Sequence, residues 1–170
     1  TEKWRNKVPA IVMAWYPGMM GGKALVNLMF GETNFSAKLP CAFPVSQEQL
    51  PFFDKKAKII EYGLYHGYRL MDKFDFKPAF PFGWGLNYTQ FQYENLKLDK
   101  TEVSAEDTLL VSVDIENVGS LQGTEVVQLY ASPDPKSPID RPIKELKGFL
   151  CVELEPGEKK QVQMPLKIQT

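Results

Sequence analysis

Histidine and cysteine are nearly absent: the 170 residues hold one His and two Cys. A structural zinc site built from Cys and His takes four ligands, which these three cannot supply. A single Cys41–Cys151 pairing stays arithmetically open, but two Cys make no disulfide scaffold. Both are expected as buried or half-buried thiols, the usual state of free Cys. Surplus charge is missing too. Lys+Arg number 20 against 21 Asp+Glu, a formal net charge of −1. That excludes a charged disordered tail and leaves no electrostatic footprint for nucleic acid. No apolar run approaches the ~20 residues that a membrane span requires. The opening TEKWRNKVPAIVMAW has no charged-then-apolar leader and is expected to be the interior of a longer protein. No internal repeat and no low-complexity tract is present.

What remains has the balance of an ordinary folded protein, 44% hydrophobic and 24% charged. The two halves differ in texture. Residues 1–91 are rich in aromatics, Gly and Pro, as in AWYPGMMGGKA and FKPAFPFGWGLNYTQF. The apolar run Val8 to Trp15, ended by Pro17-Gly18, suits a buried strand of a parallel sheet. Gly22 to Phe30 then places Ala24, Leu25, Leu28 and Met29 on one helical face, with Gly31 where a helix would end. A strand, a Gly turn and a helix make the start of a βα unit. Prolines at 40, 44 and 51 leave residues 39–60 extended or looping.

From about Phe91 every signal is of strands. LLVSVDIENVG alternates Leu109, Val111, Val113 and Ile115 with Ser112, Asp114 and Glu116. GTEVVQLYAS, KELKGFLCVEL and KKQVQMPLKI repeat the pattern. Turn clusters separate them at 117–120, 132–142 and 155–158. Short strands at this spacing indicate an antiparallel β-sandwich of ~75–80 residues.

Several chemistries fail on inspection. Gly18-Met-Met-Gly-Gly22-Lys23-Ala24 has the look of a phosphate loop, but Pro17 stands at its first Gly and Ala24 at its Ser/Thr. Gly83-Trp-Gly85 lacks the third glycine of a dinucleotide fingerprint and precedes strands. No G-x-S-x-G elbow exists, and His66 has no nucleophile in its own segment. Asn34-Phe-Ser36 and Asn87-Tyr-Thr89 match the N-glycosylation sequon, a short pattern with many chance matches. Arg69 and Asp72 read as an ion pair or turn clamp. No cofactor and no metal is expected.

His66 lies among aromatics in Tyr65-His66-Gly67-Tyr68. It reads either as a cap that bridges backbone groups or as a substrate contact, since His flanked by aromatics is a usual sugar-site composition. Trp15, Tyr16, Trp84 and Tyr88 carry the same two readings, packing or a stacking platform. If any residues touch substrate, the segment with Glu61, Tyr62, Tyr65 and His66 is the first choice. Trp15 and Tyr16 are the second, because ligands gather at the carboxyl ends of parallel strands.

Taken in order, these segments resemble the C-terminal part of glycoside hydrolase family 3, the β-glucosidase and β-xylosidase type. Val8-Pro-Ala-Ile-Val-Met-Ala-Trp-Tyr-Pro-Gly18 with Gly21-Gly22 and Leu28-Met-Phe-Gly31 is similar to the family's pattern. So are Asn34 to Pro40, Tyr62 to Arg69 with Asp72, and Phe80 to Thr89 with Phe91. In the second half Val113 to Gly119, Gly123 to Tyr130, Arg141 to Phe149 and Leu154 to Glu158 follow suit. Met19-Met20 departs from the family's acidic or amide pair, Phe35-Ser36-Ala37 from its Pro-Ser-Gly, and Tyr62 from its Glu.

The resemblance implies an α+β chain: a partial α/β sandwich piece, then an all-β fibronectin type III-like (immunoglobulin-like) sandwich. The boundaries expected are 1–75 for the first, 76–91 for an aromatic linker and 92–170 for the second. It also implies partners, namely an upstream barrel and α/β domain of the same enzyme and a carbohydrate substrate. The parent would be a retaining β-glycosidase; its compartment stays open, with secreted or periplasmic favoured over cytoplasmic. Its nucleophilic Asp would lie in the barrel and its acid/base Glu ahead of this stretch. None of Glu2, Glu32, Glu48, Asp54, Glu61, Asp72 and Asp75 falls in a motif that carries catalysis, so the chain alone is expected to be inactive. The alternative is a stand-alone glycan- or protein-binding module.

Overall fold

The alternation that begins at Leu109 decides the second half of the molecule. In the computed structural model, which describes residues 3–168, strands run over Phe91–Leu98 (β1), Thr108–Asn117 (β2), Gly123–Ala131 (β3), Glu145–Leu154 (β4) and Lys159–Lys167 (β5). Along β2 the residues Leu109, Val111, Val113, Ile115 and Asn117 are buried while those between are half-buried. A period of two has put Leu109, Val111, Val113 and Ile115 on one face. β2 lies between β1 and β5, antiparallel to both, and β3 pairs with β4 in a second sheet. Val113, Ile115, Val127, Val152, Leu154 and Met164 form the core, with Phe91, Leu129, Leu150 and Val162 packed against it. The chain is therefore α+β, its second half the antiparallel β-sandwich that the alternation indicates.

β1 is the strand whose pattern hides in the sequence. Its register against β2 slips between Glu94 and Lys97, and Asn95 takes a φ of 54°. A bulge of this kind breaks the period of two, so FQYENLKL does not alternate cleanly. Asn tolerates the left-handed region better than most residues.

Two compact units divide the chain. The first comprises residues up to Val26, Lys38–Trp84 and Ala131–Glu145. The second comprises Asn27–Ala37, Gly85–Tyr130 and the chain from Leu146 onward. The first unit has little regular structure. A helix, α1, covers Gly21–Met29, starting one residue before the expected span and ending where Gly31 takes a φ of 78°. A second short helix, α2, covers Tyr68–Lys73 behind Gly67, within an aromatic-rich stretch that gives no helical period. Residues 39–60 are irregular apart from a single 3₁₀ turn, as the three prolines require. Phe43 pairs antiparallel with Phe80, and Leu39 with the 83–84 turn, through backbone bonds of 2.7–3.3 Å.

Two expectations need correction. Val8 to Trp15 does not form a strand: the segment is mostly exposed and joins no ladder. A parallel strand exists only through a neighbour that takes its N–H and C=O groups, and no described segment supplies one. The cysteines are free and exposed rather than buried. Cys151 falls on the outward phase of β4, next to inward Val152, and Cys41 sits in the turn after Pro40.

Candidate functional site

The aromatic turn that precedes α2 is built by its own side chains. His66 donates its Nδ1–H to the carbonyl of Gly63 at 2.8 Å. That bond closes the turn and commits one ring nitrogen, so His66 does act as a backbone bridge. Gly67, with a φ of 57°, then admits the chain into α2. Tyr65 donates its hydroxyl to Asp140 Oδ1 at 2.5 Å, across 75 residues of sequence. Lys73, at the end of α2, places its ammonium 3.5 Å from the centroid of the Tyr65 ring and 3.3 Å from Asp140 Oδ2. Three residues thus hold each other pairwise.

Electrostatics follow from this triangle. The Tyr65 hydroxyl is pushed up to about 12, chiefly because Asp140 accepts its proton in a hydrogen bond. The Asp140 carboxyl is lowered by the same bond first and by Lys73 second. Two more ties join the same connector to α2. Arg69 meets Glu145 at 2.7 Å, and Lys144 meets Asp72 at 3.0 Å. Arg69 and Asp72 are therefore not each other's partners, as their spacing had suggested. Residues of the 131–145 connector intervene, and its Pro142 is buried.

The other candidates stand apart from this cluster. Glu61 and Tyr62 are exposed, and neither side chain makes a hydrogen bond, ion pair or ring contact among the described residues. Trp15 takes a φ of 50° and tilts against Phe43 at 6.4 Å between ring centroids. A left-handed Trp costs of order 1–2 kcal/mol and marks a constrained position. Tyr16 beside it is fully exposed. Among the described residues no hydrogen bond, ion pair or ring contact links Trp15 or Tyr16 to Glu61–His66.

Several acids of this half serve local structure. Asp54 Oδ1 accepts the backbone N–H of Lys56 at 2.8 Å, and Asp75 pairs with Lys77 at 2.6 Å. Glu48 is lowered by the Ser46 side chain and its own backbone N–H. Glu2 lies outside the described residues. Among those residues no group of three or more His, Cys, Asp or Glu is placed to hold a metal ion. The arrangement offers exposed aromatic rings, a carboxylate and an imidazole, which suit hydrogen bonding and stacking with a polyhydroxyl ligand better than proton transfer. Asp140, Lys73, Lys144 and Glu145 went unrecognised in the sequence. For Asp140, Lys144 and Glu145 the one signal is the charged run Asp140 to Lys147, whose partners, Lys73 among them, lie some 70 residues upstream.

The sequons also have structural duties. Asn34 Nδ2 donates to the Gln122 carbonyl at 2.9 Å, and Asn34 Oδ1 accepts from Tyr88 N–H at 2.9 Å. Asn87 Nδ2 donates to the carbonyls of Phe35 and Thr124 at 2.6 and 3.2 Å, and Asn87 Oδ1 accepts from Thr89 N–H at 3.0 Å.

Residues 1–88 match the model of the glycosyl hydrolase family 3 C-terminal domain, and residues 125–170 that of the fibronectin type III-like domain. A probable β-glucosidase I of Aspergillus niger is 39% identical over 174 residues, 96% of this chain and 21% of the relative. Thermostable β-glucosidase B of Acetivibrio thermocellus is 44% identical over 168 residues, 96% of this chain and 22% of that one. Among solved structures, β-glucosidase 3B of Thermotoga neapolitana in complex with glucose superposes with a TM-score of 0.85 at 34% identity. That match covers 96% of this chain and 24% of the other. The β-glucosidase of Kluyveromyces marxianus in complex with glucose gives 0.85 at 39% identity, over 96% of this chain and 20% of that one. The chain thus spans about a fifth of the length of the curated relatives it matches.

Proposed function

The chain belongs to glycosyl hydrolase family 3, and from that premise we propose that it works as the C-terminal portion of a retaining β-glucosidase that removes terminal β-linked sugars. One observation carries this reading: similarity to β-glucosidases runs along 96% of the chain while filling only about a fifth of each relative. The partners follow from it. The upstream barrel and the rest of the α/β domain supply what these residues lack, and the substrate is a carbohydrate. Domain boundaries at 1–75, 76–91 and 92–170 belong to the same proposal.

Retaining hydrolysis needs two carboxyl groups about 5–5.5 Å apart, one as nucleophile and one as acid/base. Both are assigned to the upstream domains, as the family resemblance implies, and Asp54, Asp72 and Asp75 in this half are tied into a turn and ion pairs. The chain's contribution is to bind and orient. Tyr62 and His66 contact the sugar from the aromatic turn, and Trp15 and Tyr16 form a second aromatic wall. Glu61 supplies a carboxylate acceptor for sugar hydroxyls. Such contacts hold the substrate in register without reacting.

The test uses the full-length enzyme with aryl β-glucosides and β-xylosides. Turnover is expected, and no turnover of either rejects the activity. Substitution of Tyr62→Ala or His66→Ala should lower kcat/KM by about tenfold, the loss of one good hydrogen-bond or stacking contact. An unchanged kcat/KM in both rejects the contact assignment while leaving the activity standing.

A further inference from the structure

We propose that Asp140 is a positioning residue for the aromatic turn, fixing the segment Glu61–His66 in its sugar-binding shape through the hydroxyl of Tyr65. The inference rests on the reading that this turn contacts the substrate. It narrows the role of Tyr65, whose hydroxyl is already committed to Asp140, so Tyr65 anchors the turn and leaves contact to its neighbours.

The turn has few other anchors. Glu61 and Tyr62 are exposed, and the His66 to Gly63 bond is internal to the turn. Without an external tie, the segment would be free to sample many backbone states, and ordering it on binding would weaken affinity. Tyr65 supplies that tie in two directions. Asp140 holds the hydroxyl, and the Lys73 ammonium sits over the ring face at 3.5 Å. Lys73 also meets Asp140 at 3.3 Å, which closes the set.

Asp140 is itself well fixed for a residue in a long connector. The chain on its C-terminal side is clamped by Lys144–Asp72 and Glu145–Arg69, with buried Pro142 between. Residues 131–145 leave the strand β3 and return to β4, yet they belong to the first unit. The connector therefore acts as a strap laid on α2, with Asp140 as its contact to the turn.

The experiment is steady-state kinetics of the full-length enzyme on an aryl β-glucoside, with thermal midpoints recorded in parallel. The variants are Asp140→Ala, Tyr65→Phe, both together, and Lys73→Met. Because the Asp140 side chain is 74% exposed, the effect is modest: Asp140→Ala and Tyr65→Phe each raise KM about fivefold, with kcat held within about twofold. The double variant matches the larger single one, since both remove the same bond. Lys73→Met, which keeps the apolar stem, raises KM about twofold. A purely structural role would lower the midpoint or the active fraction and leave KM unchanged. Wild-type KM in Tyr65→Phe, or a double effect equal to the product of the singles, overturns the proposal. Tyr65→Phe is conservative enough to fold, so the proposal stays testable if Asp140→Ala does not. Tyr62→Ala and His66→Ala separate the two failures. If they are silent, the contact assignment falls and the positioning role with it. If they matter while Asp140→Ala keeps wild-type KM, only the positioning role falls.

Discussion

Thr89 donates its hydroxyl to the side-chain oxygen of Asn117 over 2.6 Å, and both residues are buried. The same oxygen accepts the N–H of Gly119 at 3.1 Å, while Asn117 Nδ2 donates to the carbonyls of Leu121 and Leu154 at 2.8 and 3.0 Å. One amide ties the end of β2 to the next turn, to β4 and to the chain before β1. Asn117→Ala removes the partner of the Thr89 hydroxyl, the Gly119 N–H and the carbonyls of Leu121 and Leu154, and should cost about 2–4 kcal/mol. Urea unfolding followed by tryptophan fluorescence measures it.

Gly119→Ala should break the same node from the other side. A Cβ there would collide with Thr89 Oγ1 and stand 2.9 Å from the Gln90 nitrogen, which is backbone and cannot step aside. The expected loss is about 1–3 kcal/mol, in the range of overpacking. A midpoint equal to wild type would mean the turn relaxes freely.

Asn87 separates an amide from a carboxylate of the same shape. Its Nδ2 faces the carbonyls of Phe35 and Thr124. Asn87→Asp points an acceptor at two acceptors and should destabilise more than Asn87→Ala. A glycan on that nitrogen would displace the same bonds. Peptide mass mapping of folded protein from a glycosylating host should find Asn87 unmodified.

The Asp107 carboxyl sits at about 2, below its ordinary 3.8, first because it accepts the backbone N–H of Ser104 and then because Lys100 and the Ser104 hydroxyl donate to it. A lowered folded-state value means that the folded chain favours the ionised form. The stabilisation is therefore complete above the ordinary value and is lost as pH falls through the folded one. The midpoint gap between wild type and Asp107→Asn should be widest near neutral pH and shrink below about pH 4. A gap that does not change with pH would contradict it.

Cys151 stands on the outer phase of β4. Cys151→Ser should leave stability within about 0.5 kcal/mol, as for other surface changes. Native-state titration with a thiol reagent should label it without denaturant.

How much of this was legible varies with the kind of signal. β2 could be read residue by residue, because Leu109, Val111, Val113 and Ile115 obey one period and all face one core. β1 could not, because Asn95 sits in a bulge that interrupts the period. Val8–Trp15 has the composition of a parallel strand, but pairing is a property of two segments and the sequence displays only one. α2 was masked by its aromatic neighbours. In the candidate site one of the two readings of His66, a bridge to backbone groups, matches the bond it makes to the Gly63 carbonyl. The link from Tyr65 to Asp140 was not, since no local pattern connects residues 75 apart.

The strap from 131 to 145 has a consequence for synthesis. The first unit begins near the start of the chain but includes residues that lie between β3 and β4. On the ribosome it cannot be completed until Glu145 has emerged, after three strands of the second unit are already out. Closing contacts over so many residues is slow relative to hairpin formation. The sandwich strands thus become available before the aromatic turn gains its anchor. Cutting the chain between β3 and β4, or fusing a partner there, would interrupt both units at once.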